Sequence, residues 1–504
     1  MQALTIEGFR LSPQQEHLWS LQQVEQSVYQ SNCIISITGN IDIKRLELAL
    51  QNIVNRHEIL RTCFRCLPGM TIPVQVITNI QVNLDNAYNL SNFAAEEQKV
   101  KTETILQKLK SLPFDLEKGS VLQVALVTLS LEQHLLYISL PAICSDTITL
   151  HNLMRELASL YSSNLDHELS DDALQYADFS EWQNQIIEGE ETEVGRKFWL
   201  QRNLSVLDRL NLPYEIDTAK ESQFLPNFIN SSIDAKLAEK AEHLVQKLNS
   251  SSSIFFLTCW QILLWKLLKQ PEIIIGVSVN GRKYDELKSA LGLFAKYLPL
   301  HSHLEDNLTF SQVLQQVHES VEEIDKWQEC FTWEQINYSG KKLTRLPFGF
   351  DFEKEAPVCY ADDVKFSIEQ QYSCIECCKI RLSCQQKTDI VNLEFHYDSN
   401  VFNIESIELL AEQFSQLIAS VINNPEELIS KLSIVSENAF NQLIYAFNQT
   451  QADYPQNKCI HHLFAEQVER TPNNTAVVYN NQQITYAQIN ARANQLAHYL
   501  QKLG

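Results

Sequence analysis

The sequence has 504 residues, more than a single hydrophobic core ordinarily serves and enough for two or three domains. Hydrophobic residues make up 44% and charged residues 20%, the balance of an ordinary water-soluble globular chain. The formal charge of −22 argues against nucleic acid or an anionic membrane surface as the main partner, since both need basic surface. Solubility accounts for the excess acid more simply than an acidic docking face.

The N-terminus, MQALTIEGFRLSPQQEHLW, has no basic segment followed by an apolar one, so it does not read as a secretory signal. The longest apolar runs, such as Ile254–Leu257, are far too short to span a bilayer, and the expected location is cytoplasmic. There are 12 cysteines, grouped most closely as Cys63 and Cys66 in CFRC and as Cys374, Cys377, Cys378 and Cys384 in CIECCKIRLSC. A zinc ribbon needs two well-separated CxxC pairs flanked by turn residues. The second group instead sits in a strand-like run with Ile380 and Leu382 at alternate positions. Buried, reduced thiols are expected, and no metal site.

In chain order, LSPQQEHLWSL (residues 11–21) opens with a Ser-Pro turn and continues as a short helix. Asn32–Thr38 reads as a strand. Asp42 reads as the N-cap of a helix with Ile43, Leu46, Leu50, Ile53 and Val54 on one face, running into RHEILRTCF. Strand signals return at Pro73–Ile80 and Ser120–Leu129. Next, Leu135–Leu140 reads as a buried strand closed by Pro141, followed by the tight loop Ala142–Ser145. Asp146 then opens a segment with Ile148, Leu150, Leu153, Met154 and Leu157 at helical spacing. This strand–loop–helix unit belongs to a mixed α/β lobe, residues 1–165.

A polar, acidic stretch at 163–175 bridges to a second α/β lobe, 166–435. It begins with YADFSEWQ (Tyr176–Gln183) and a charged helical stretch. A further helix is expected, with Ser222–Asn230 before it and a polar run near Asn249–Ser253. Its continuation, Ile254–Leu268, is apolar nearly all round and should lie in a core. PEIIIGVSVNGR (271–282) reads as a buried strand ending in a Gly-containing turn. Helices near Phe310–Ile324 and Ile404–Ile422 and strands near Phe348–Phe352, Val364–Gln370 and Lys379–Tyr397 complete the lobe. The texture changes at Ser436: a polar linker covers 436–460, and 461–504 reads as the start of another domain, with ITYAQINARANQLAHYLQKLG as an amphipathic helix.

Taken together these segments resemble the condensation domain of nonribosomal peptide synthetases. LSPQQEHLWSL resembles the family's first motif, RHEILRTCF its second, YADFSEWQ its fourth, and IIIGVSVNGR with LGLFAKYLPL its fifth. NQTQADYPQ and ITYAQINARANQLAHYL resemble the linker and first motif of an adenylation domain, but the Gly-rich phosphate loop of that domain lies outside this sequence and no ATP chemistry is assigned. The resemblance implies an α/β fold of two chloramphenicol-acetyltransferase-like lobes in a V, plus a partial adenylation start. It implies a tunnel between the lobes, reached from opposite faces by peptidyl and aminoacyl carrier domains. Phosphopantetheine would be carried by those partners, and no cofactor bound by this chain.

The family's third motif, His-His-x-x-x-Asp-Gly, with its second His the proposed catalytic residue, corresponds here to Pro141-Ala142-Ile143-Cys144-Ser145-Asp146-Thr147. Both histidines are absent and Gly is replaced by Thr147. By resemblance Asp146 pairs with Arg61 of the second motif; a plain helix cap is the alternative, and either role is structural. Pro141 also excludes the heterocyclising Asp-x-x-x-x-Asp pattern. Cys144 or Ser145 with His151 is a weak nucleophile pair, because His151 should point away from the loop as a surface imidazole. His57 reads as structural. Lys296 and Tyr297, in FAKYLPL, are candidate tunnel residues, with a polar tunnel wall as the plainer account.

A positioned general base typically contributes ~10²–10⁴-fold, whereas holding two tethered reactants together supplies effective molarities up to ~10⁵–10⁸ M. An α-amino group with a pKa of about 8 is already partly neutral near pH 7. The loss of the imidazole therefore predicts impaired rather than abolished amide formation. The expected role is a structural or recruitment module for carrier-bound substrates, the downstream adenylation domain and a tailoring enzyme. The alternative is an active, His-independent domain driven by proximity. A standalone interaction protein is a third reading, suggested only by the sequence ending at Gly504.

Overall fold

The computed structural model describes residues 8–22, 28–82, 84, 87–119, 121–162, 173–202, 204–216, 224–333, 337–338, 341–342, 346–387 and 390–504. The chain divides into two compact units, Met1–Ser436 and Glu437–Gly504. Two six-stranded sheets organise the first.

The spatial order of the first sheet is Cys359–Ala361, Val364–Ser373, Gln30–Thr38, Gln133–Pro141, Gln123–Thr128 and Ala87–Asn89. Gln30–Thr38 pairs antiparallel with a neighbour on either side, so it is nearly sealed from water. The Thr147–Tyr161 helix packs on this sheet, and the Ile43–Arg56 helix packs against it in turn. Asp42 starts the latter helix by accepting from the backbone N–H groups of Lys44 and Arg45 at 2.9 and 3.3 Å. Leu46, Ala49, Leu50, Ile53 and Val54 face the core at helical spacing.

The second sheet runs Pro226–Ile233, Val391–Asp398, Ile380–Gln386, Phe348–Lys354, Glu272–Val279 and Lys296–His303. Its central strand, Phe348–Lys354, is parallel to both neighbours. Ser252–Leu268, Phe310–Trp327 and Ile404–Asn423 are its main covering helices, and their apolar faces share one core with the sheet.

Three expectations need correction. A division at residue 165/166 does not separate the sheets, because residues 359–373 fill the open edge of Gln30–Thr38 and bring Val364 and Phe366 into the first core. Leu291, Leu293 and Phe294 join that core from the same half of the chain. Next, the stretch before Leu268 is two helices, Ala235–Lys247 and Ser252–Leu268, meeting at 104°. Asn249 adopts a left-handed φ of 50° at the break, and Ser251 caps the second helix. Finally, Pro226–Ile233 is a polar, largely exposed edge strand that hydrophobic alternation could not reveal. Residues 163–172 of the acidic bridge lie outside the described residues.

The second unit holds the helix Ile460–Arg470, a hairpin of Thr475–Tyr479 and Gln482–Thr485, and the helix Tyr486–Leu503. Ile484 and Thr485 are strand residues rather than helical ones, and Thr485 forms a capping box with Gln488. Among the described residues no single helix is long and apolar enough to cross a membrane.

Trp260 is fully buried, edge-on to Phe395 and Phe414 at 6.1 and 6.0 Å between ring centroids. Trp260→Ala should destabilise the first unit by about 3–5 kcal/mol, read as a lower urea midpoint by far-UV circular dichroism.

Candidate functional site

The buried strand Gln133–Pro141 delivers a one-turn 3₁₀ segment, Ala142–Cys144, and then the Thr147–Tyr161 helix. The loop is held from several sides. Gln15 donates to the Ile143 carbonyl at 3.0 Å, Ala142 N–H to Tyr29 at 3.1 Å, and the Ser145 hydroxyl back to Pro141 at 3.1 Å. Ala142 and Cys144 are fully buried in the apolar core. Burial pushes the Cys144 thiol well up, leaving it without thiolate character. His151 is hydrogen-bonded elsewhere, so no nucleophile pair forms with Cys144 or Ser145.

Asp146 pairs with Arg282, not with Arg61. Arg282 Nη1 reaches Asp146 Oδ2 at 2.8 Å and Nη2 reaches Oδ1 at 3.0 Å, with both side chains sealed from water. The same carboxylate accepts from the N–H groups of Thr149, Phe294 and Ala295 at 2.8, 2.9 and 3.0 Å. Burial alone would raise its pKa; the guanidinium and the backbone donors outweigh that and hold it below the usual carboxyl range. Arg61 instead donates to the Thr78 carbonyl at 3.3 Å and lies 3.5 Å from Glu58. The signal for Arg282 was in the sequence, at the end of IIIGVSVNGR. Gly281 there has φ +66°, and a Cβ would stand 2.0 Å from the Phe294 carbonyl oxygen, so only glycine fits the turn that aims Arg282.

Between the two sheets lies a cleft of about 1130 Å³. Asp146, Thr147 and His151 line one side, whereas Pro141, Ala142, Cys144 and Ser145 do not reach it. His151, expected on the surface, is 7% exposed: Thr147 and His151 are one helical turn apart, so they share the face turned to the cleft. Its Nε2 lies 2.7 Å from Gln371 Oε1, and burial pushes the imidazole down, keeping it neutral. Tyr297 lines the cleft and donates to Asp351, with Arg381 Nη1 3.3 Å from its hydroxyl. Lys296, its neighbour on the strand, points to the opposite face and pairs with Glu329 at 3.1 Å. His57 bonds Glu156 at 2.6 Å, a structural contact within the lobe.

Among the cleft residues that sequence reasoning missed are the acids of the facing strand. In FGFDFEK the phenylalanines at 348, 350 and 352 face the core, so Asp351 and Glu353 share the other face. Glu353 accepts from Gln371 Nε2 at 2.9 Å and lies beside the Thr147 hydroxyl. Burial and the neighbouring Asp351 push its carboxyl up to about 7. The alternation of acid with Phe was the available signal.

Residues 7–444 match the Condensation domain family, and residues 464–504 match the AMP-binding enzyme family. This chain belongs to the condensation-domain family. The condensation domain and the residues after it are 29% identical to bacitracin synthase 3 of Bacillus licheniformis, covering 99% of this chain and 8% of that protein. Gramicidin S synthase 2 of Brevibacillus brevis is also 29% identical, with 98% and 11% covered, so the chain spans about a tenth of these relatives. Among solved structures, the X-domain in complex with OxyB from teicoplanin biosynthesis superposes with TM-score 0.71 at 20% identity, covering 86% of this chain and 97% of that one. The four-domain nonribosomal peptide synthetase AB3403 superposes with TM-score 0.80 at 16% identity, covering 100% and 40%. The two sheets are thus the chloramphenicol-acetyltransferase-like lobes of a condensation domain, with Asp146 at their junction.

Asp146 titrates lower folded than unfolded. Its contribution to stability is therefore complete above the unfolded value of about 3.9 and is lost as pH falls through the lower folded value. Arg282→Ala strands a buried carboxylate and should cost about 3–5 kcal/mol at neutral pH, whereas Arg61→Ala, at a part-exposed pair, should cost under about 1 kcal/mol. Urea denaturation of both variants at pH 7 checks the assignment.

Proposed function

We propose that this condensation domain works within a nonribosomal peptide synthetase, taking phosphopantetheinyl thioesters from peptidyl and aminoacyl carrier domains into the cleft. Lacking the loop imidazole, it acts chiefly as a structural or recruitment module. Ala142 carries this reading: the position of the family's proposed base is a methyl group buried in the core, while the Asp146 framework around it is intact. The prosthetic arm belongs to the carriers and the following adenylation domain to the same assembly. The X-domain of teicoplanin biosynthesis, whose fold is shared here, was solved in complex with OxyB, which supports recruitment of a tailoring enzyme. Carrier domains joined covalently to this one need little intrinsic affinity, because linkage raises their effective concentration.

Slow amide formation is a second reading. It is favoured by a polar cleft that still holds a carboxyl, Glu353, able to exchange a proton near neutrality.

The deciding measurement is single-turnover amide formation between two loaded carrier domains, run beside a relative that has the histidine. The rate here should be ~10²–10⁴-fold lower. Ordinary condensation rates would overturn the proposal. Ala142→His should not restore activity, because an imidazole in that sealed site overpacks the core by about 1–3 kcal/mol.

A further inference from the structure

The carboxylates of the cleft wall are mostly matched with a partner that bears or can bear positive charge. Asp146 has Arg282; Asp351 has Arg381 at 3.9 Å; Glu376 has His17 at 2.9 Å; Glu394 has His396 at 3.0 Å. Glu355 and Glu369 are exposed at the rim. Glu353 differs. It is half-buried, and its hydrogen-bond partners among the described residues are the neutral Gln371 amide and the Thr147 hydroxyl. Arg381, the cation whose charge acts on it, is engaged by Tyr297, by the Ser373 carbonyl at 3.2 Å and by Asp351.

The bonds around Glu353 also orient it. His151 Nε2–H donates to Gln371 Oε1, which turns the Gln371 amide nitrogen toward Glu353 Oε2. A helix from one lobe, a strand completing that lobe's sheet and a strand of the other lobe therefore converge on one carboxyl. What this carboxyl lacks is a cation, and the cleft is open to one.

The geometry points to Glu353 as the amine site of the cleft: it binds the α-ammonium of an aminoacyl thioester and accepts its proton. This deepens the carrier-substrate reading in its second form, slow amide formation, and rests on it. In the step, one N–H bond of the ammonium breaks and an O–H bond forms on Glu353. The neutral amine attacks the second thioester's carbonyl, a C–N bond forms, and the C–S bond breaks. The departing thiolate takes the amine's second proton, and Glu353 returns its proton to solvent through the open cleft. The carboxyl, at about 7, and an α-ammonium, at about 8, are close enough in affinity for the transfer to run either way. Gln371 and His151 are positioning residues.

The test uses the full chain and two probes, an aminoacyl pantetheine amide and its twin lacking the amino group, with binding measured by calorimetry across pH. The amine-bearing probe should bind roughly tenfold to hundredfold tighter, the range for a hydrogen bond to a charged group. Glu353 is charged above its folded value and the probe below its own, so this advantage should peak between about pH 7 and pH 8. The other charged or titratable groups around Glu353 are Asp351 on its own strand (ion-paired to Arg381), Asp146 and His151 on the helix, and Arg381 on the adjacent strand; Asp146 and Arg381 keep their charges and His151 its neutrality across this window. Glu353→Gln should abolish the advantage and the acid limb together. Gln371→Leu removes a donor to the carboxylate and should move the acid limb to higher pH, a change that loss of packing alone would not produce. Equal binding of both probes by the unaltered protein, or an acid limb unchanged in Glu353→Gln, overturns the assignment of Glu353. No binding of either probe overturns the carrier-substrate reading and this assignment with it.

Discussion

A buried, bidentate ion pair between Asp146 and Arg282 is the constraint on which the site depends. Its carboxylate serves three elements: it caps the Thr147–Tyr161 helix, receives the guanidinium at the end of the Glu272–Val279 strand, and takes the N–H groups of Phe294 and Ala295. Two charges without water are expensive to hold, and the desolvation is offset only when each remaining lone pair is met. Here nearly every one is. That demand fixes the angle of helix, turn and loop together, and the neighbouring contacts repeat it: Thr149 Oγ1 donates to the Gly292 carbonyl at 2.7 Å, and the Tyr176 hydroxyl bonds Leu293 at 2.5 Å and Ser12 at 2.8 Å. Gly292 has room for no side chain, since a Cβ there would lie 2.0 Å from the Tyr176 ring.

Framework and chemistry are thus separable in this domain. The bonds that shape the loop run through backbone groups, Gln15, Ser145, Asp146 and Arg282, none of which needs an imidazole at position 142. Alanine at position 142 leaves the scaffold satisfied. The polar side chains of the cleft gather on the facing strand, where Asp351 and Glu353 stand among Tyr297, Arg381 and Gln371.

Much of this was legible in the sequence. The strand–loop–helix unit, the Asp42 cap and the apolar stripe of the Ile404–Asn423 helix follow from local periodicity and capping chemistry, which act over a few residues. Long-range matters were less so. By resemblance Asp146 pairs with Arg61; its actual partner, Arg282, lies 136 residues further along the chain, and only tertiary structure brings the two together. Helical phase was discounted for His151, although Thr147 and His151 lie one turn apart and must share a face. Glu353 was hidden because alternation in a strand says which residues share a side, not what that side meets. The strand Pro226–Ile233 puts only Ile229 and Ile233 toward the core, too sparse a pattern to mark a strand.

The strand Val364–Ser373 closes a sheet whose other members, apart from the short Cys359–Ala361 that pairs with it, come from the first third of the chain. During synthesis, Gln30–Thr38 must wait with one edge unpaired until more than 300 further residues have been made, roughly 15–60 s at ribosomal speed. For that interval a nascent chain presents a template for unwanted strand addition by its neighbours on the polysome. Yield in the cell should therefore be governed as much by how crowded translation is, and by chaperone supply, as by the stability of the finished protein.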